Sequence, residues 1–399
     1  MNKKTVRDVE LAGKRVLARV DFNVPIEKGT ITDDTRVTAA LPTINYVLEQ
    51  GASLVLMSHL GRPKGEKKPE FSLEPVANHL GDLLGRPVKM APDTVGDDVS
   101  SMVKALQPGE VLVLENTRFY AEEEGKKCSP EEQDAFARKL AEFGDVYVGD
   151  AFGTAHRAHA STAVVCSHMD TCVAGLLMEK ELNFLSKATG NPEKPFVAVI
   201  GGAKVSGKLE VLRNLMTRVN CILIGGGMAY TFLKAEGHEI GNSLVEEDLV
   251  DVASDTLAAA RDSGVKFLLP SDNLVADDFA ADARTQTVGR DIPDGWMALD
   301  IGPETIATYA AEIATARTIV WNGPMGCFEM EPFAKGTMDV CRAIADSDAV
   351  SIIGGGDSVS AVKKSGLADR MTHISTGGGA SLEFLEGKEL PGVVALDDK

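Results

Sequence analysis

The sequence predicts an α/β protein of two domains, each built on a parallel sheet covered by helices, and three observations carry that expectation. Short runs rich in Val, Ile and Leu recur without polar alternation, the pattern of strands buried on both faces. Between them lie stretches with apolar residues at i, i+3 and i+4, so strand alternates with helix. The 399 residues exceed the roughly 250–300 at which one hydrophobic core stops growing.

Taken in order, RVLARV (15–20), SLVLM (53–57), VLVL (111–114) and VYV (146–148) are expected as strands of the first half. FVAVI (196–200), CILI (221–224), KFLL (266–269), TIVW (318–321), VSII (350–353) and HIS (373–375) follow in the second. Helical spacing marks residues 35–50, 73–84 and 130–143 among the connecting segments. A further helix, LLMEKELNFLSKA, runs into a Gly/Pro stop signal at 189–192 and marks the junction. The boundaries drawn are an N-terminal domain 1–175, a hinge helix and linker 176–195, a C-terminal domain 196–385, and a tail 386–399 returning to the N-terminal domain.

The formal net charge is −18. So acidic a surface argues against nonspecific nucleic-acid binding and against anionic lipid, both of which need a basic face. Residues 1–180 hold 22 basic and 27 acidic side chains (−5), and residues 181–399 hold 19 and 32 (−13), so the acidity sits in the second half. No apolar run approaches the roughly 20 residues that span a bilayer, and no signal-peptide pattern opens the chain. The six cysteines show no CxxC spacing, and a cytoplasmic location is expected, without a zinc site or a disulfide framework.

The turns that follow the strands differ between the halves. In open α/β sheets, ligands bind outside the carboxyl ends of the strands. In the first half those ends carry Asp21, Asn23, His59, Arg62, Arg118 and Arg157, with Arg36 nearby. Singly, each is an ordinary surface charge; together they form a site for a phosphate or carboxylate, which arginine grips with bidentate donors. Asp21 and Asn23 suit a hydroxyl, and His156 and His159 are read as supporting residues.

In the second half the strand ends are glycine-rich: 201–202, 225–227, 354–356 and 377–379. Glycine permits positive φ and close backbone approach, and a helix start aims N–H groups at an anion. Residues 202–208 match GxxxxGK, but Leu209 stands where a P-loop needs Ser or Thr for Mg²⁺. What remains is a glycine turn with Lys204 and Lys208 at i and i+4, expected to share a helix face that meets a polyphosphate or is merely solvated. Asp357 is either a Mg²⁺ ligand or a helix N-cap. No GxGxxG occurs, which counts against a nicotinamide dehydrogenase.

RVDFNVP (19–25), SHLGRP (58–63), LENTRF (114–119), GDAFGTAHRAHAS (149–161), GGAKVSGKL (201–209), GGGMAYTF (225–232), WNGPMGCFE (321–329), GGGDSVSA (354–361) and STGGGASLEFLEG (375–387) resemble the motifs of the phosphoglycerate kinase family, in that family's order. The resemblance implies two Rossmann-like, three-layer αβα domains joined by a hinge helix. It implies reversible, in-line transfer of the acyl phosphoryl group of 1,3-bisphosphoglycerate to Mg-ADP after domain closure, giving 3-phosphoglycerate and ATP. By position it assigns 3-phosphoglycerate to Asp21, Asn23, Arg36, His59, Arg62, Arg118 and Arg157. Nucleotide falls to Lys208, Gly226, Ala298, Gly323, Met325, Glu329, Gly355, Gly356, Asp357 and Ser358, with Asp357 at the magnesium. Arg36, Lys204 and the backbone around Gly354 and Gly377 would stabilise the transferring group. The family's usual state is a monomer. Two departures stand out: Ala298 where members often have glycine, and Cys327, read as filler, where they have an aliphatic residue. The competing readings are a non-catalytic nucleotide-binding or scaffold protein on the same fold, and a dehydrogenase.

Overall fold

The first apolar run forms strand β1 (Arg15–Arg19) in the computed structural model, which describes residues 2–399. It lies between β2 (Ser53–Met57) and β5 (Val146–Gly149). β3 (Val88–Met90), β4 (Val111–Val113) and β6 (Cys172–Ala174) complete a six-stranded sheet in the order β3-β4-β2-β1-β5-β6, all parallel. β1, β2, β4 and β5 are buried nearly throughout, as their unalternating sequences require. β3 and β6 are additions to the sequence reading. Each has three residues and stands at a sheet edge, too short for any periodicity to register.

The second sheet contains β7 (Phe196–Ile200), β8 (Cys221–Ile224) and β9 (Lys266–Leu268) from the early part of that half. With β13 (Thr318–Asn322), β14 (Val350–Gly354) and β15 (His373–Ile374) it runs β9-β8-β7-β13-β14-β15, again parallel. Between β9 and β13 the chain makes an antiparallel three-stranded sheet that the sequence reading lacked. Its strands are β10 (Asn273–Ala276), β11 (Thr285–Val288) and β12 (Met297–Ile301), in the order β11-β10-β12. β11 is TQTV and mostly exposed, so it carries no apolar signal.

By internal contacts the chain forms two units, one of residues up to Asn183 together with Glu389–Lys399, the other Phe184–Lys388. The boundary falls inside helix α2 (Leu176–Thr189); helix α1 (Thr35–Glu49) belongs to the first unit. The chain end is tied into the first unit by backbone bonds from Lys4 N–H to Asp397 O (2.9 Å) and from Asp397 N–H to Cys172 O (2.8 Å), and by an ion pair between Lys399 and Asp8 (3.0 Å). Each unit has its own core: Val16, Phe22, Ile44, Leu56 and Val148 in the first, and Val199, Leu223, Trp321, Ile344 and Ile353 in the second. Each fully buried side chain of this size contributes roughly 1.5–3 kcal/mol by leaving water.

Buried carboxylates at the sheet ends seat the helices. Asp272 accepts N–H bonds from Glu304 (3.0 Å) and Thr305 (2.8 Å), and Asp300 accepts that of Gly336 (2.7 Å). Asp150, following β5, accepts through Oδ1 the N–H groups of Leu177 and Met178 at the start of α2, both at 3.0 Å. Burial raises the Asp150 carboxyl to about 7, against the opposing bonds from Thr43, Met178 and Leu177. A carboxyl raised on folding binds more protons in the folded than the unfolded state, so its contribution is lost as pH rises through about 7. Asp150→Asn keeps the acceptor and removes the charge. A melting-temperature gain of roughly 2–4 °C is expected at pH 8.5 and a clearly smaller one at pH 5.5, because the penalty accumulates from the unfolded value of 3.8 up to about 7; equal shifts at both pH values would contradict the assignment.

Candidate functional site

In the first unit the polar and basic groups gather where the sequence reading put them, after the carboxyl ends of β1, β2, β4 and β5. The turn after β1 supplies Asp21 and Asn23. The side-chain oxygen of Asn23 accepts the Gly61 N–H (2.9 Å), which ties it to the His59–Arg62 turn after β2. Arg36, in the first turn of α1, donates to the Asn23 carbonyl (2.6 Å) and lies 3.7 Å from the Asp21 carboxylate. Arg118, in a 3-10 turn after β4, donates to the Gly61 carbonyl (2.8 Å) and pairs with Glu124 (3.2 Å). Asn116 braces this cluster, accepting the N–H groups of Leu60 and Arg118 and donating to the carbonyls of Leu60 and Phe71. Arg157, after β5, donates through Nε to His156 Nε2 (3.0 Å), which is the supporting role expected of His156.

The electrostatics of this group point to an anion. His59 and Arg118 are buried. Burial pushes both away from their charged forms; Arg19 and Arg118 push His59 the same way, and for Arg118 the push from Arg19 and Arg157 is opposed by Glu124 and Glu123. His159 is lowered to about 3 by burial and then by Arg19 and Arg118. Like charges crowded and desolvated are unfavourable without a ligand, and a phosphate or carboxylate relieves them. Arg62 is exposed.

In the second unit an apolar cavity of about 470 Å³ opens beside the glycine turns, lined by Gly202, Gly226, Tyr230, Leu244, Phe279, Met297, Ala298, Leu299, Cys327, Glu329 and Asp357 among others. Its size and apolar lining with two convergent carboxylates suit a heterocycle and its sugar. The antiparallel sheet supplies the wall at Met297–Leu299, and Ala298 N–H donates to Ser243 (3.0 Å). Gly226 and Gly323 show why these turns need glycine: φ is +69° and +97°, and an added Cβ would lie 2.6 and 2.2 Å from the carbonyls of Gly202 and Gly201.

Not every residue assigned to nucleotide lines that cavity. Met325 and Ser358 are buried supports: the Met325 carbonyl accepts the Gly226 N–H (2.8 Å), and the Ser358 hydroxyl accepts the Gly323 N–H (2.6 Å). Helix α3 spans Leu209–Met216 and α4 spans Gly356–Ser365; Gly355 is the N-cap of α4, Gly356 its first residue, and Asp357 stands in its first turn. Gly354 ends β14, and the Gly377 N–H donates to Ser375 (3.0 Å).

One expectation is corrected. Lys204 and Lys208 do not share a helix face, since α3 begins only at Leu209 with Lys208 as its N-cap. The segment 202–208 is a series of turns, opened by Gly202 at φ +108° and closed by a Lys208 N–H bond to Val205 O (2.8 Å). Lys204 is therefore exposed on a loop, while Lys208 turns inward and donates to Asn322. Burial lowers Lys208 to about 8, with Asp357 and Glu386 opposing. Asn322 is a residue the sequence reading passed over. It is buried, its oxygen holds Lys208, and its amide nitrogen has no partner among the described residues beside Gly355. The sequence signal was its place at the carboxyl end of β13, just before Gly323.

Among the described residues no three His, Cys, Asp or Glu groups could hold a metal ion. Asp357 is a single carboxylate at the cavity edge, a donor set that fits Mg²⁺ already carried by phosphates and does not fit a resident metal. Cys327 lines the cavity with its thiol raised to about 11 by burial, then Glu329 and Asp300, which makes it a poor nucleophile and suits the role of filler. No helix among the described residues is long and apolar enough to cross a membrane.

Two parallel α/β units, one with a crowded arginine site and the other with a glycine-walled cavity, fit a phosphotransferase. The comparisons specify which. The family model described as phosphoglycerate kinase matches residues 6–388. Curated phosphoglycerate kinases of Moorella thermoacetica and Chloroherpeton thalassium are 60% and 56% identical, each comparison covering all of both chains. Among solved structures, that of phosphoglycerate kinase from Coxiella burnetii matches with a TM-score of 0.89 at 44% identity, covering 98% of each chain. Phosphoglycerate kinase from Pyrococcus horikoshii matches at 0.84 and 36%, with the same coverage. The chain belongs to the phosphoglycerate kinase family, and it is an enzyme, with nothing favouring a non-catalytic relative.

Proposed function

We propose that this chain transfers the acyl phosphoryl group of 1,3-bisphosphoglycerate to ADP, reversibly, giving 3-phosphoglycerate and ATP. The observation that carries the residue-level reading is the contrast between a desolvated arginine cluster on one unit and an apolar cavity beside a desolvated lysine on the other. The cluster takes 3-phosphoglycerate: Arg36, His59, Arg62, Arg118 and Arg157 meet its anionic groups, while Asp21 and Asn23 meet its hydroxyl. The cavity takes adenine against Gly226 and Ala298, Glu329 accepts from the ribose, and Lys208 with the turn 354–358 meets the phosphates. Mg²⁺ arriving with the nucleotide, held by Asp357, supplies neutralisation of phosphate charge.

The chemistry asks for positioning and positive charge, not for a base. The leaving group is a carboxylate and the ADP oxygen is already ionised at neutral pH, so the neutral His59 and His159 abstract no proton. Arg36 and Lys204 stabilise the equatorial oxygens of the group in flight, and the N–H groups around Gly354 and Gly377 add fixed dipoles. Because the half-sites belong to different units, we infer that binding of both substrates draws the units together and excludes water. The enzyme is read as a cytoplasmic monomer. The test is release of ADP from Mg-ATP that depends on added 3-phosphoglycerate. Nucleotide binding without turnover would favour a scaffold, and a nicotinamide-dependent absorbance change a dehydrogenase.

A further inference from the structure

Arg19 closes β1, with its side chain almost wholly buried beneath the arginine cluster. Each of its three nitrogens is engaged. Nε donates to the Ser161 hydroxyl (2.7 Å), Nη1 to the carbonyl of Val20, and Nη2 lies 3.1 Å from Nδ1 of His59. Its charge is balanced by Glu123, fully buried, whose Oε1 is 3.8 Å from Nη2. Glu123 is itself fixed by the Ser161 hydroxyl (2.6 Å), the Ser161 N–H (3.0 Å) and the Thr117 hydroxyl (3.2 Å).

A guanidinium only donates, so the His59 nitrogen that faces it must be the unprotonated one. We propose that Arg19 is a positioning residue for the transfer reaction: it fixes His59 as the neutral tautomer with its proton on Nε2, aimed as a hydrogen-bond donor at the anionic substrate. Among the described residues the ring's hydrogen bond is the one at Nδ1, which leaves the Nε2–H for a ligand. The groups facing His59 are Arg19 from β1, Arg36 from α1, Arg118 from the turn after β4 and His159 from the segment after β5. All oppose a proton on the ring; of the buried carboxylates in the cluster, Glu123 is engaged by Arg19, Ser161 and Thr117 and faces His159, and Asp21 lies beside Arg36. Substrate charge is thus recognised by arginines that never titrate, and the histidine adds direction without adding charge. Affinity for the anion is thereby insulated from pH across the range where a free histidine would switch.

This inference rests on the placement of 3-phosphoglycerate proposed above, and the experiment separates the two. In protein labelled with ¹⁵N at its seven histidines, the His59 ring nitrogens are followed from pH 5.5 to 8.5, without and with 3-phosphoglycerate. The expected result is an Nε2–H ring that does not titrate, whose Nε2–H signal shifts on adding the substrate. An Nδ1–H ring, or one that titrates, overturns the inference. The expected tautomer with a signal indifferent to 3-phosphoglycerate overturns the substrate placement instead.

Kinetics supply the second arm. Arg19→Met, which cannot donate, should raise KM for 3-phosphoglycerate about tenfold at pH 8, with KM for ATP unchanged. The ratio of variant to parent KM should then fall toward pH 6 as the freed His59 takes up a proton; using the ratio removes the substrate's own ionisation. Arg19→Lys retains a donor and a charge, and should restore a flat ratio. A ratio raised equally at every pH would mean that Arg19 is structural only and would overturn the proposal. If Arg19→Met does not fold, the ring tautomer in the parent protein decides.

Discussion

Arg36→Ala should lower kcat by about two to three orders of magnitude while leaving KM for ADP within about twofold. Arg36 differs from its neighbours in the cluster. Arg118 and His59 are buried, whereas the Arg36 side chain is 38% exposed and held by one strong bond, to the Asn23 carbonyl, beside the Asp21 carboxylate. It is therefore anchored at the site and still free to reach a group arriving from outside it. A guanidinium in that position offers two donors to equatorial oxygens whose charge grows as the bond to the carboxylate breaks. An interaction stronger in the transition state than in the ground state appears in kcat. Steady-state kinetics in the direction of ATP formation measure this, and a near-normal kcat would refute the role given to Arg36.

Lys208→Ala should raise KM for ADP by roughly tenfold or more, with KM for the acyl phosphate little changed. Lys208 is lowered to about 8 by burial, so the folded protein holds this charge at a cost that a polyphosphate offsets. The sign of the pH effect follows. Lys208 is positive below about 8 and neutral above, so nucleotide affinity of the parent should weaken as pH rises through that value, and the variant should lose this dependence. Calorimetric titration of Mg-ADP at pH 7 and pH 9 measures both. If instead only the KM of the acyl phosphate rose, the two half-sites would be wrongly assigned.

Much of this was legible because buried parallel strands announce themselves and because function gathers at their carboxyl ends. RVLARV, SLVLM and FVAVI have no polar alternation, and all three became interior strands. The turns after β1, β2, β4 and β5 hold the residues of the arginine cluster except Arg36, which stands in the first turn of α1. What escaped was information that only packing supplies. Arg19 reads as the polar end of a strand, and its partners His59, Glu123 and Ser161 lie 40, 104 and 142 positions away. Asn322 was visible at its strand's end, but the inward rotation of Lys208 that gives it a role is set by the late start of α3. The i, i+4 spacing of Lys204 and Lys208 misled because glycines at 202 and 207 favour turns over a helix. The antiparallel sheet that walls the cavity hid in TQTV, a strand whose exposure erases its pattern.

We propose a division of labour between the units, with one substrate on each. Amide hydrogen exchange read by mass spectrometry, with each ligand added alone, tests it most directly. 3-Phosphoglycerate should protect segments around 21–36, 59–65, 114–119 and 150–160 and leave the second unit's turns unchanged. Mg-ADP should protect 201–209, 225–227, 322–329 and 354–358 and leave the arginine cluster unchanged. Protection by either ligand alone in the other's segments, with its own left unprotected, would contradict this division.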